Sequence, residues 1–551
     1  MNQSPNHRGL TPRTFSLFAM TAIMIAAHGV TASCANADQQ RPNILWISCE
    51  DISPNLGCYG DKHAITPNLD RLAKQGARFD RAFTPAGVCA VVRSSVITGM
   101  YAPAIGSQHM RSLIIPPAPV KAFAEYLRAA GYFTTNRSKT DYQFAPTESI
   151  WDRQGNGHKD WRERPDSEQP FFSVVNLTVC HESQIRHGDA KHAEVIQKIG
   201  SENQHDPVVV GDTLPDYLPN TASARKDWAW YHDNITLMDQ MAGEILNRLE
   251  KDGLAENTLV VFWSDHGMGM PRGKRWIYDS GTLVPMIMRW PGKIAEGSIR
   301  EDLVNTVDLA PTMLSAAGLK VPDYMQGRIL IGDQRQPEPT HLFFHRDRMD
   351  EAIELQRGVR DRRWKYIRNY QPDIPYSQHI DYMDQMPTMQ DWRRLSAAQR
   401  LVGGQNNWFK SPKPIEELYD TENDPWELKN LAEDPQHAER LITMRQAAED
   451  LQETLGDTGM IPEAVLMEEM KPGGTTPVTG RPSIDIVGDN LTLTCPTDGS
   501  SIVYQIKRGD QWGRWNLFTR PIKRPKTADQ IRVKACRLGY QDSEVITENL
   551  R

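Results

Sequence analysis

Two acidic pairs and one cysteine carry the chemistry that this sequence can do. Glu50-Asp51 and Asp265-His266 each follow closely on an apolar run, Asn43–Ser48 and Thr258–Trp263. Carboxylates gathered at strand ends repel one another unless a cation neutralises them, and their oxygens favour a hard ion such as Ca²⁺ or Mg²⁺. The third group is Cys89, four residues before Arg93 at the head of a helical stretch. A helix N-terminus and a neighbouring guanidinium both stabilise anions. Each group also has an ordinary reading: an exposed acidic turn for either pair, a buried structural thiol for the cysteine.

These residues need a scaffold, and the pattern supplies one. Asn43–Ser48, Phe171–Leu177, Thr258–Trp263 and Val284–Met288 read as buried strands. Thr66-Pro67 starts a helix with Thr as N-cap, Pro at N1 and Gly76 as C-cap. Val120–Ala130 reads as a second helix. Ile235, Met238, Ala242, Ile245 and Leu249 form one face of a long third, and that stripe is core packing. Strands alternating with helices predict an α/β class: a mostly parallel central sheet flanked by helices. From about His341 a smaller α+β subdomain begins, ending in an amphipathic helix over Ala438–Leu455. The Gly/Pro/Thr-rich stretch 471–482 reads as a linker, and alternating residues beyond it predict a small β-sandwich. The expected organisation is 1–37 leader, 38–340 catalytic domain, 341–470 C-terminal subdomain, 471–482 linker and 483–551 accessory sandwich.

Bulk properties narrow the classes. The 551 residues are 39% hydrophobic, enough for more than one domain, and the formal net charge of -7 argues against a nucleic-acid partner. Arg8 and Arg13 precede an apolar run, Phe15–Ala27, and Ala35-Asn36-Ala37 follows. That is the layout of a secretory signal peptide, so the chain is expected to be exported to the periplasm or secreted. No later segment is long and apolar enough to span a membrane. Seven cysteines are too sparse for a disulfide scaffold, although Cys495 and Cys536 could pair.

The motifs together resemble the type I, formylglycine-dependent sulfatases of the alkaline-phosphatase-like superfamily. The family signature is Cys-x-Pro-Ser-Arg followed by Thr-Gly, and Cys89, Arg93, Thr98 and Gly99 match it by position. Gly273-Lys274, Tyr278-Asp279 and Val284-Pro285 resemble a second family stretch. Glu417-Leu418-Tyr419-Asp420, Asp424-Pro425 and Asn430-Leu431 resemble its C-terminal signature. The texture near Glu50, Cys89 and His181 is similar to heparan N-sulfatases. The resemblance implies that Cys89 is oxidised to formylglycine by a formylglycine-generating enzyme. It implies that Glu50, Asp51, Asp265 and His266, with residue 89, hold Ca²⁺ or Mg²⁺. Arg93, Lys139 and Lys274 would neutralise the sulfate, and His181 would serve the leaving group. The implied substrate is a sulfated poly- or oligosaccharide. Val91 and Val92 depart from the signature proline and serine, and Asp141 stands where the family's Gly-Lys-Trp-His motif has histidine.

Other residues are placed by the sequence alone. His109 and Arg111 follow the signature helix closely enough to line a substrate pocket with Asp141. Arg362–Tyr366 reads either as a cationic sugar surface or as an edge strand. Trp512 and Trp515 read either as sugar-stacking or as packing residues. Two other functions fit the same motifs: a phosphomonoester or phosphodiester hydrolase, or a glycan-binding protein without turnover if Cys89 stays a thiol.

Overall fold

The computed structural model describes residues 41–158, 160–525 and 527–550. The leader expected at 1–37, with Cys34, lies outside them. No described helix is long and apolar enough to cross a membrane.

An eight-stranded sheet forms the centre. Its order is Arg153–Gln154, Phe133–Arg137, Phe171–Leu177, Asn43–Cys49, Thr258–Ser264, Met286–Arg289, Ala77–Phe79, Ser298–Arg300. The first five strands are mutually parallel. Met286–Arg289 is antiparallel to both neighbours, so the strand expected from Val284 begins two residues later and reverses the sheet. Every residue of the three central strands is buried. On one face Leu45, Ile47 and Phe262 pack against Ile235, Met238 and Ala242 of the long helix Ala222–Lys251. On the other, Ile44, Trp46 and Trp263 meet Val96, Ile97 and Phe123. A sheet covered on both faces explains why its strands read as unbroken apolar runs.

Three local expectations shift. The Pro67–Lys74 helix has Pro at N1, but the Thr66 hydroxyl does not cap it. It accepts instead from Gly57 N (2.9 Å) and donates to Asp70 Oδ1 (3.1 Å). Gly76 is not the C-cap; Gln75 is. A Cβ at Gly76 would come within 2.2 Å of the Met288 carbonyl oxygen, so glycine there permits close strand packing. The helix expected at Val120 starts at Phe123, because a turn closed by Val120 N on Pro117 O occupies the preceding residues.

A four-stranded antiparallel sheet, Leu342–Arg346, Gln356–Arg360, Trp364–Asn369 and Glu416–Asp420, follows, with the Ala438–Leu455 helix against it. Trp364–Asn369 is an interior strand. Lys365 is buried against Asp279 (2.9 Å) and Glu427 (3.3 Å), Arg363 pairs with Asp420, and Arg362 with Glu338. The edge-strand reading of this stretch therefore does not hold, and Lys365 and Arg362 tie the subdomain to Asp279 and Glu338 of the preceding domain. Beyond residue 482 two small antiparallel sheets enclose Leu491, Leu493, Ile531 and Val533. Cys495 and Cys536 are both free; their thiols donate to Gly480 O and Ser501 O. Arg532 stacks on Trp512 and Trp515, and Arg128 donates to Trp515 O (2.6 Å). Both indoles therefore stack on a cation of their own sandwich, and it is the Trp515 backbone that meets the α/β domain.

Candidate active site

The three central strands end level with one another, because Ser48 stands opposite both Asn176 and Trp263. Glu50 and Asp51 leave the first, Asp265 and His266 the third, and His181 the turn after the second. This carboxyl edge is where open α/β sheets place ligands. Asp51 turns at φ 56°, and its N–H donates to Asp265 Oδ1 (3.2 Å). Cys89 opens the Cys89–Thr98 helix. Two residues earlier, a Cβ at Gly87 would lie 2.5 Å from Trp276 O, and Gly87 O accepts from Arg275 N (2.6 Å). Only glycine lets this turn press against the segment carrying Lys274.

Four of the expected groups converge. Ligand atoms of Asp51, Cys89, Asp265 and His266 all lie within 4.8 Å of one another, and all four residues are buried. His266 Nε2 is 3.0 Å from Asp51 Oδ1, yet neither atom has a hydrogen-bond partner. Buried polar atoms are rarely left unbonded. Two facing each other in a ring of carboxylates and one imidazole fit a hard divalent cation. Glu50 lies outside that ring: its carboxylate pairs with Lys139 and stands 3.7 Å from Arg93. In this arrangement it holds a cation side chain beside the cluster.

The basic side chains surround the same point. Lys274 Nζ donates to Asp51 Oδ2 (2.6 Å). Arg93 reaches Asp265 Oδ2 through Nε (3.1 Å) and a terminal nitrogen (3.0 Å). Burial opposes charge on Lys274, but Asp51 and Cys89 raise its pKa well above the ordinary lysine value. Burial likewise pushes the Cys89 thiol up, yet Lys274, Lys139 and the neighbouring rings of His181 and His266 hold it well below the usual thiol range. Position 89 is thus built for an anion. His181 caps the helix Glu182–Ile185, its Nδ1 accepting from Ser183 N (3.3 Å). Burial lowers its pKa and Asp51 raises it; the net shift is upward.

The outer residues divide. Asp141 stands 3.4 Å from Lys139 and 3.6 Å from Arg111, so both adjoin the site. His109 is buried against Arg348 and Glu463 (3.8 Å), where burial lowers its pKa. Several residues went unrecognised in the sequence. Asn176 accepts from Arg93 (2.9 Å) and donates to Lys139 O (2.8 Å), tying two cations to one strand end. Glu182 donates its N–H to Asp51 Oδ2 (2.7 Å) and takes Arg275 in a bidentate pair (3.1 and 2.9 Å), which Asp350 completes (2.6 Å). The available signal was an amide inside the apolar run FFSVVNL and a carboxylate next to His181.

The family profile described as Sulfatase matches residues 42–319, and a second, N-sulphoglucosamine sulphohydrolase C-terminal, matches 268–393. An ulvan-active sulfatase of Formosa agariphila is 37% identical over 92% of this chain and 91% of its own length. The chain belongs to the sulfatase family. It is a sulfuric ester hydrolase. The sulfatase is also similar to the human N-sulphoglucosamine sulphohydrolase, at 27% identity over 78% of this chain and 94% of that one. Among solved structures, a putative sulfatase from Bacteroides fragilis superposes with a TM-score of 0.57 at 20% identity, covering 78% of this chain and 98% of that one. A protein solved with its substrate D-glucosamine-2-N,6-O-disulfate gives 0.55 at 19%, over 77% and 99%. These likenesses establish the alkaline-phosphatase-like fold for the sulfatase.

Proposed function

We propose that this sulfatase is exported and removes ester sulfate from a sulfated polysaccharide of the ulvan type. It would use formylglycine made from Cys89 by a formylglycine-generating enzyme. Asp51, Asp265 and His266, with residue 89, would hold Ca²⁺, Mg²⁺ being the other hard ion suited to them. The carrying observation is the convergence of Cys89 with Asp51, Asp265 and His266 inside a ring of Lys274, Lys139 and Arg93. The polysaccharide reading is supported by the ulvan-active relative, which matches nearly the whole chain.

The cation would supply charge neutralisation to a reaction whose substrate and nucleophile are both anionic, and formylglycine would supply the attacking oxygen. The remaining tasks belong to the chain's own side chains. Arg93, Lys139 and Lys274 bind the sulfate oxygens and stabilise negative charge as it grows. Asn176 and Glu50 hold two of those cations in place. His181, whose Nδ1 accepts from Ser183 N, would give its Nε2 proton to the leaving sugar oxygen.

Peptide mass analysis of residue 89 in protein from the native host, beside sulfate release from ulvan, tests this reading. Parallel assays use a sulfamate, an aryl sulfate and a phosphate monoester, with and without chelator. The expected result is an aldehyde at position 89 and chelator-sensitive release of ester sulfate. An unaltered thiol with no sulfate release, or preference for the phosphate ester, would refute it.

A further inference from the structure

A line of alternating charge leads from the buried cluster to the surface. Glu50 pairs with Lys139, Lys139 lies 3.4 Å from Asp141, and Asp141 lies 3.6 Å from Arg111. Side-chain exposure is 2% at Glu50, 19% at Lys139, 16% at Asp141 and 60% at Arg111. The guanidinium therefore stands in solvent at the outer end of a path whose inner end is the sulfate-binding ring.

The backbone that presents Arg111 is unusual. Arg111 (φ 59°), Leu113 (52°), Ser138 (76°) and Asp141 (47°) all adopt left-handed conformations without being glycine. Such conformations are strained and persist only where surrounding structure enforces them. Here Gln143 enforces them. Its amide donates to Ser107 O (3.0 Å) and His109 O (2.6 Å), its side-chain oxygen accepts from Arg111 N (2.6 Å), and its own N–H donates to Ser94 Oγ (2.7 Å) on the Cys89–Thr98 helix. Two loops are thus laced together and to the helix that begins at residue 89. They fix where Arg111 starts while leaving its side chain free to swing.

Asp141 is a weak internal partner for Arg111. At 3.6 Å the pair falls short of a hydrogen bond, and an exposed ion pair of that kind contributes little. The guanidinium keeps its forked donors for a ligand, and an oxyanion with two adjacent oxygens is the group that fork matches.

We propose that Arg111 is a specificity-determining residue that reads a second anionic group, a carboxylate or a further sulfate, on the saccharide carrying the scissile sulfate. This rests on the sulfated-polysaccharide reading above. The sulfate at the centre would be held by Lys274, Lys139 and Arg93, and the chain would leave past Asp141 with its next negative group at Arg111.

The test compares wild type, Arg111→Ala and Arg111→Lys on four substrates: an aryl sulfate, a sulfated disaccharide with a uronate neighbour, its carboxyl-reduced analogue, and a disulfated disaccharide. For Arg111→Ala, kcat/KM should fall about 10- to 100-fold on substrates with the second anion. It should stay within about twofold on the aryl sulfate. Arg111→Lys should recover part of the loss, being a point charge without the fork. A loss confined to the uronate or to the disulfated substrate identifies which oxyanion is read. Equal loss on all four substrates, or none on any, overturns the inference while leaving the sulfatase reading intact. Absence of turnover by wild type on every sulfated substrate refutes that reading and this inference with it.

Discussion

Two buried charge clusters in this sulfatase look alike in composition and differ in closure. In the C-terminal subdomain Arg357 is fully buried between Asp347 and Asp457, and each guanidinium nitrogen has a partner: Nε on Asp457, one terminal nitrogen on Asp347 and Gln356 O, the other on both carboxylates. At the sheet edge, Asp51, Asp265, His266, Lys274 and Arg93 are as deeply buried. Yet Asp51 Oδ1 and His266 Nε2, which face each other at 3.0 Å, lack hydrogen-bond partners. Around Arg357 the guanidinium has spent its donors on the fold, although His345 Nε2 beside Asp347 is left unbonded. An open cluster retains capacity for something that is not protein. Burial and charge type do not separate the two; unused donors and acceptors that converge do.

That contrast yields opposite mutational outcomes. Asp265→Asn keeps the side chain's size and removes its charge from the open cluster. Turnover should fall about 1000-fold or more, because a cation ligand and the anchor of Arg93 go together. Stability in urea should change little, since relieving crowded carboxylates offsets the weakened Arg93 contact. Lys274→Ala should lose turnover comparably. Full activity in either variant would show that the cluster is not the catalytic centre. Arg357→Met, in contrast, strands two buried carboxylates and should destabilise by about 3–5 kcal/mol. Sulfate release per folded molecule should be retained at temperatures well below the lowered midpoint. If this variant lost chemistry and kept stability, the two clusters would have been assigned the wrong way round.

Ion binding sharpens the comparison further. Chelator-stripped protein given Ca²⁺ at roughly a hundredfold excess over its Kd should gain about 3 kcal/mol, read as a higher urea midpoint. Asp265→Asn should lose most of that gain, and Arg357→Met should keep it. A gain that survives in Asp265→Asn would place the ion elsewhere.

How much of this was legible beforehand follows the same division. The strands that position the site announced themselves because they are buried on both faces, so Asn43–Ser48, Phe171–Leu177 and Thr258–Trp263 read as plain apolar runs. Asp51, Cys89, Asp265 and His266 were recognisable because each adjoins a strand end or a helix start. Asn176 was not, since its partners Arg93 and Lys139 are 83 and 37 residues away and meet it only once the sheet forms. His109 shows a converse limit. Closeness in sequence to Arg111 suggested a shared pocket, but Arg111 turns to φ 59° while His109 points toward Arg348. Reversal of the sheet at Met286–Arg289 likewise depends on neighbours that its own composition does not encode.

The smallest effect isolates the closed cluster by its titration. Burial pushes the Asp347 carboxyl up, but Arg357 and its bond with His345 overcome this and hold its pKa down at about 2, against an ordinary 3.8. A depressed carboxyl stabilises the fold above its unfolded value, and that stability is lost as pH falls toward the folded value. The difference corresponds to about 2 kcal/mol, present at pH 6 and vanishing near pH 2. Asp347→Asn cannot titrate, so its deficit against wild type in urea should be largest at pH 6. The gap should narrow steadily as pH is lowered from 4 toward 2.5. A gap that stayed constant across that range would mean that Asp347 contributes by shape and hydrogen bonding alone. The closed cluster would then owe its stability to packing around Arg357 and not to charge.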